Sequence, residues 1–164
     1  MDDRSGPMKL YVVRHANAGS RSAWEGRDHD RPLTRRGYKQ AAAIADQLAD
    51  VDILRLVSSP TVRCLQSLAP LGARLQLKVE EDDRLLEGAS GAEALSLADE
   101  LRDTGSAAVV CSHGDVILEM LRVWNAGSTR FKDPLVWPKG STWVLTWDGE
   151  RWAKARYIAP PDVS

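Results

Sequence analysis

Short apolar runs alternating with amphipathic stretches constrain this chain more than any other feature. Leu10-Tyr11-Val12-Val13 reads as a short buried strand, and Thr34 can cap a following helix with Ala41, Ile44, Ala45 and Leu48 on one face. Val51 to Val57 reads as a second strand. Ser59-Pro60 then opens a helix with proline at its first position, and Pro70 and Gly72 end it. A short strand is expected over Leu75 to Val79. Ser90-Gly91-Ala92-Glu93 has capping-box spacing ahead of a stripe of Ala94, Leu97, Ala98 and Leu101. Ala107 to Cys111 is the clearest buried strand, followed by a helix with Ile117, Met120, Leu121 and Trp124 on one face, stopped by Gly127. Ser141 to Trp147, Asp148-Gly149 and Arg151 to Ile158 read as a hairpin, with Trp143 and Trp147 on one face. This alternation predicts an α/β fold, a three-layer α/β/α sandwich around a mostly parallel, mixed sheet. The expected organisation is one domain over residues 1–164, with 1–8 as a flexible tail.

Composition narrows the function. The 164 residues are 43% apolar, enough for a packed core, and 22 lysines and arginines nearly balance 23 acidic residues. That balance argues against a nucleic acid polymer as partner. No apolar run approaches the roughly 20 residues of a membrane helix, so no membrane partner is expected. Met1 to Pro7 lacks the apolar stretch of a secretory signal. Two cysteines, Cys64 and Cys111, exclude a disulfide scaffold and make the cytoplasm the expected compartment.

Ligands of open α/β sheets bind beyond the carboxyl ends of strands. There the first strand delivers Arg14-His15, and the second delivers Ser58-Ser59-Pro60 with Arg63 one turn on. The strand ending at Cys111 delivers Ser112-His113-Gly114. Each histidine taken alone can simply cap its strand. Jointly, two histidines and two arginines suit an oxyanion, because guanidinium forks match phosphate oxygens and neutral imidazole can attack phosphorus. Neither cysteine has an arginine six residues on, no glycine pattern supports a nucleotide P-loop, and zinc spacings are absent. Asp28-His29-Asp30 reads as solvated loop rather than metal site. Residues 17–39 carry a local excess of basic side chains that can steer an anion. Arg21, Arg27 and Trp24 are its candidates for a pocket rim, with the Trp24 face able to stack a base; Arg35, Arg36 and Lys39 read as solvated. Arg130, Lys132, Trp137 and Lys139 are candidates for an opposite wall. Lys139 and Ser141 either reach phosphate or serve turn and strand.

Leu10 to Ala16, with Arg14-His15 at its end, resembles the Arg-His-Gly signature of the histidine phosphatase superfamily, the phosphoglycerate mutase-like fold. Ser58 to Ser67 resembles its second motif and Cys111-Ser112-His113-Gly114 its third. Arg31 to Gly37 is similar to the small SixA-type phosphohistidine phosphatase branch. Lys139 to Leu145 resembles the closing strand of histidine phosphatase domains fused to Nudix hydrolases, which by analogy suggests a Nudix-type partner. The resemblance implies that His15 is a nucleophile that becomes phosphorylated. It implies that Arg14 and Arg63 clamp phosphoryl oxygens, that His113 donates to the transferring group, and that no metal or organic cofactor takes part. Ala16 stands where the family has glycine, Arg21 where its larger branch has asparagine, and Cys64 where alanine is common. Glu87 is placed like the general acid of ester-cleaving members, or is an exposed loop carboxylate ahead of Ser90.

The expected activity is hydrolysis of a phosphate monoester, an anhydride or phosphohistidine. The corresponding partner is a phosphorylated small molecule or nucleotide, or a phosphohistidine protein. A non-catalytic phosphate-recognition module is the alternative reading, with a phosphomutase behind it.

Overall fold

A computed structural model describes residues 7–164. Seven strands form one sheet in the order β3-β2-β4-β1-β6-β7-β5. They are β1 (Met8–Arg14), β2 (Arg55–Ser58), β3 (Val79–Glu81), β4 (Ala107–Ser112), β5 (Arg130–Phe131), β6 (Thr142–Trp147) and β7 (Trp152–Ile158). The helices are α1 (Arg35–Leu48), α2 (Val62–Leu75), α3 (Gly91–Leu101) and α4 (Gly114–Ala126). β3, β2, β4 and β1 run parallel, while β6 pairs antiparallel with both β1 and β7. The expected three-layer α/β/α arrangement and the closing hairpin are present.

Alternation along the central strands sorts the core. Leu10 and Val12, with Ala108 and Val110, pack against α3 and α4 through residues such as Leu97, Ile117 and Met120. Tyr11 and Val13, with Val109 and Cys111, face α1 and α2 through Ile44, Leu68 and Leu71. All six residues of β4 are buried, as expected of a strand covered on both faces. Each fully buried leucine or isoleucine here contributes about 1.5–3 kcal/mol. β1 and β4 lie side by side, yet one chain leaves toward α1 and the other into α4 on the opposite face. That divergence opens a crevice at the strand tips.

Several expected boundaries shift. Met8 is buried within β1, so the tail expected over 1–8 stops short of it, and residues 1–6 lie outside the described part. β2 starts at Arg55 rather than Val51; Val51 and Ile53 form a tight turn instead, with Ile53 N–H donating to Val51 O (2.8 Å). α2 begins at Val62, because Pro60 disfavours helix for Ser59 and an extended Thr61 caps the start. Pro70 lies inside α2 rather than at its end. Burial of Leu68 and Leu71 around it outweighs the lost backbone hydrogen bond. Gly72 is a close-approach residue rather than a stop: a Cβ there would meet Leu77 O at 2.9 Å. The helix instead turns out through Gln76 in the left-handed region (φ 56°), which moves β3 to Val79–Glu81. β5, two residues paired parallel with β7, falls where only a loop was expected.

Candidate active site

The tip of β1 is held from three sides. His15 N–H donates to Ser112 O (3.2 Å), Arg14 N–H to Ser141 O (3.0 Å), and Gly140 N–H to His15 O (3.1 Å). β4 is followed directly by His113, the N-cap of α4, and the first turn of α2 carries Arg63. These side chains surround a cavity of about 260 Å³ lined by Arg14, His15, Arg63 and His113, together with Arg21, Arg31, Glu87, Asp115 and Lys139.

His15 is almost fully buried, and its Nδ1–H donates to Ala16 O (2.8 Å). That bond assigns the proton to Nδ1 and leaves Nε2 with a free lone pair. Burial, then the neighbouring His113, Arg63 and Arg14, push its pKa down to about 3 against the opposing pull of the Ala16 hydrogen bond, so the imidazole is neutral. His113 lies edge-on to it, ring centroids 5.4 Å apart. On one side His113 Nε2 meets Ser59 Oγ at 2.9 Å; on the other, Arg63 Nη2 approaches Nδ1 at 3.4 Å. Donation from Nε2 to Ser59 leaves Nδ1 facing the cavity.

Arg63 is completely buried and multiply held. Nη1 donates to Asp28 O (2.8 Å), and Nη2 reaches both Asp28 Oδ2 and Glu87 Oε2 at 3.1 Å. Arg14 Nη1 donates to Trp137 O (2.8 Å). The buried Nε atoms of Arg14 and Arg63 have no partner among the described residues. Gly114 lets the Arg14 guanidinium lie flat on α4, since a Cβ would sit 2.9 Å from its Cζ. Lys139 enters the same cavity, its pKa lowered by burial and then by the charges of Arg14, Arg31 and Arg63.

The structure thus brings Arg14, His15, Arg63, His113, Glu87, Arg21 and Lys139 together. It does not bring Trp24 or Ser141. Trp24 lines a neighbouring recess, and its Nε1–H is committed to Arg27 O (2.9 Å); Arg27 pairs outward with Asp30. Ser141 is buried behind the wall, where its carbonyl holds Arg14 N–H. Arg130 and Lys132 are not in this cavity either.

Asp28, Arg31 and Asp115 were not expected here. Asp28 is no solvated loop residue: its carboxylate joins Arg63 to Arg31 (2.9 Å) and Arg21 (3.3 Å). Burial alone would raise its pKa, but the Arg31 hydrogen bond and the charges of Arg63 and Arg21 hold it below the usual range. Asp115 Oδ2 accepts Gly88 N–H (2.8 Å), fixing the loop that carries Glu87. Ala16 is buried, and only Gln76 among described non-glycine residues has positive φ, so alanine fits there without strain. Cys64 is the small buried residue expected, with Sγ 3.6 Å from His113 Nε2.

The profile of the histidine phosphatase superfamily (branch 1) matches residues 10–96, more than half of the chain. The chain belongs to the histidine phosphatase superfamily. It is 33% identical over 156 residues to an 8-oxo-(d)GTP phosphatase of Mycolicibacterium smegmatis, a match covering 93% of this chain and 48% of that protein. The chain spans about half the length of the curated relatives it matches. Among solved structures, a SixA protein from Nakamurella superposes with a TM-score of 0.70 at 25% identity, covering 94% of this chain and 97% of that one. A phosphoglycerate mutase from Bacillus anthracis superposes with a TM-score of 0.72 at 14% identity over 99% and 95% of the two chains, a likeness of fold. No helix among the described residues is long and apolar enough to cross a membrane.

Proposed function

We propose that this protein is a phosphatase that transfers a phosphoryl group to His15 Nε2 and then to water. The observation that carries this reading is the neutral, buried imidazole, its Nδ1 proton tied to Ala16 O and its Nε2 free beside the Arg14 and Arg63 guanidiniums. Phosphoryl transfer demands in-line positioning and neutralisation of oxygen charge more than covalent help. Arg14 and Arg63 supply that charge, with Lys139 behind them, so the step needs no metal. Nε2 attacks phosphorus as the bond to the leaving oxygen breaks, giving phosphohistidine. Water then attacks phosphorus, the P–N bond breaks, and His15 returns to its neutral form. His113, whose Nδ1 accepts from Arg63 Nη2 (3.4 Å), holds that guanidinium toward the phosphoryl oxygens.

Glu87 is the acid that protonates a leaving alkoxide and afterwards the base that takes a proton from the attacking water. Its Oε2 meets Arg63 (3.1 Å) and its Oε1 meets Arg21 (2.6 Å), which holds the carboxylate at the lining of the same cavity as His15. Imidazole leaving from a phosphohistidine protein needs no such acid, which favours a phosphate ester or anhydride as substrate. The relative from M. smegmatis carries the name of a nucleoside triphosphate phosphatase, which supports a nucleotide.

The test is rapid quench with a labelled donor and turnover of an aryl phosphate. Wild type is expected to form an acid-labile phosphoenzyme, and His15→Ala to lose it together with turnover. Full activity in His15→Ala would overturn the mechanism. Glu87→Gln is expected to lose ester hydrolysis about 10²–10⁴-fold while still cleaving phosphohistidine.

A further inference from the structure

Five cations gather in a second, larger cavity well away from the strand tips. Lys9, Arg130, Lys132, Lys154 and Arg156 line about 430 Å³, with Asp133 as the one acid among the lining residues. Asp133 is already engaged, its Oδ2 accepting Tyr157 N–H (3.0 Å). The five cations make no ion pair among the described residues. Around the first cavity, by contrast, Arg21, Arg31 and Arg63 are each paired with a carboxylate.

Sheet register shows how the charges meet. Lys9 of β1 lies beside Thr146 of β6, Thr146 beside Lys154 of β7, and Lys154 beside Arg130 of β5. Three cations thus stand in one row across four strands, roughly 14 Å long at the usual strand spacing. Arg156, beside Val144 in the next row, adds a fourth to the same floor. Like charges directly opposite on neighbouring strands destabilise a sheet, and here Lys154 and Arg130 are so placed, neither in an ion pair among the described residues. Lys9 is five residues from Arg14 along β1, about 16 Å, so this cavity is separate from the phosphoryl site.

We propose that this cavity is a second anion site, taking a compact small molecule that carries several phosphate charges. Its volume lies within the range of small-ligand pockets, and Val144 adds an apolar side chain to its floor. A single monoanion would leave most of the five charges unanswered; a di- or triphosphate group would span the row. On a chain of net charge −1 the excess is local to this face. An added protein strand is disfavoured, because Asp133 already takes the Tyr157 N–H that such a strand would need.

The test is an amide-shift titration by NMR of the full chain at low salt with methylenediphosphonate, whose P–C–P bridge resists hydrolysis. Expected are saturable shifts at Lys9, Arg130, Thr146 and Lys154, separate from those around Arg14 and His113. The double variant Lys9→Gln/Lys154→Gln is expected to weaken the first set at least 10-fold and leave the second set and aryl phosphate turnover unchanged. Shifts confined to Arg14, His15 and His113, or a first set that ignores the double variant, would overturn the proposal. So would a hexaglutamate peptide binding there as tightly as the diphosphonate, since the face would then be one for acidic protein segments. Because the readout is binding, a wild type without phosphatase activity would defeat the mechanism above and leave this result standing.

Discussion

At the scale of single residues, burial without a counter-charge keeps the His15 imidazole neutral and ties its protonation to the stability of the fold. Its pKa is near 3 in the folded protein against 6.5 for a free side chain. Between those values the unfolded chain binds a proton that the native state refuses, so stability falls as pH drops below about 6.5. The contribution reaches about 1.4 kcal/mol per pH unit and ends near pH 3, where the native imidazole also protonates. His15→Asn should therefore lose less stability than wild type on acidification, and urea unfolding at pH 7 and pH 5 measures the difference. Gly114 makes a second case. Gly114→Ala adds a Cβ within 2.9 Å of the Arg14 guanidinium, whose flexible end can move aside. Its expected signature is a 10- to 100-fold fall in kcat/KM for an aryl phosphate with a change of no more than about 0.5 kcal/mol in stability, since misplacing a clamp by an ångström is expensive in rate. Arg14, His15 and His113 were legible in the sequence because each directly follows an apolar strand. Asp28 was not, because its main partner Arg63 lies 35 residues away and only the fold joins them. Trp24 misled for a related reason: proximity to His15 in sequence says nothing about which recess a loop side chain enters.

At the scale of elements, α2 shows how tertiary packing overrides local signals. Pro70 and Gly72 are strong helix breakers, and the helix runs through both to Leu75. Pro70 is tolerated because the buried stripe of Cys64, Ser67, Leu68 and Leu71 continues past it. Gly72 is needed because Leu77 returns over the helix end and donates to Gly72 O (3.0 Å). Gly72→Ala gains about 1 kcal/mol of helix propensity. The same substitution forces a Cβ against Leu77 O and Val79, an overpacking that costs about 1–3 kcal/mol, so net destabilisation of about 1 kcal/mol is expected. A urea midpoint lowered at unchanged m-value would record it, with turnover intact because the site is at the other end of α2. Helix caps were legible where chemistry is local: Thr34 accepts Gly37 N–H and Ser90 accepts Glu93 N–H, both as spaced. β5 was not, since two residues carry no period and its existence depends on β7 lying alongside.

For the whole molecule, charge is distributed against the grain of its net value. A chain of net charge −1 concentrates Arg14, Arg21, Arg31, Arg63 and Lys139 at the strand tips, opposed there by Asp28, Glu87 and Asp115. A cleft with that excess focuses its field outward and raises the encounter rate with a phosphate dianion. The effect reaches only about a Debye length, roughly 10 Å at 0.1 M salt, so it acts on capture rather than on the enclosed chemical step. Accordingly kcat/KM should fall about 5-fold as salt rises from about 20 to about 300 mM, with kcat nearly constant. Arg21 is the most exposed of the five and sits where an approaching anion passes. Arg21→Gln should flatten that salt dependence and raise KM at low salt, leaving kcat within about 2-fold as long as Glu87 keeps its contact with Arg63. A kcat that collapses together with kcat/KM in Arg21→Gln would mean that Arg21 orients Glu87 for proton transfer, and steering would then have to be assigned to Lys139 alone.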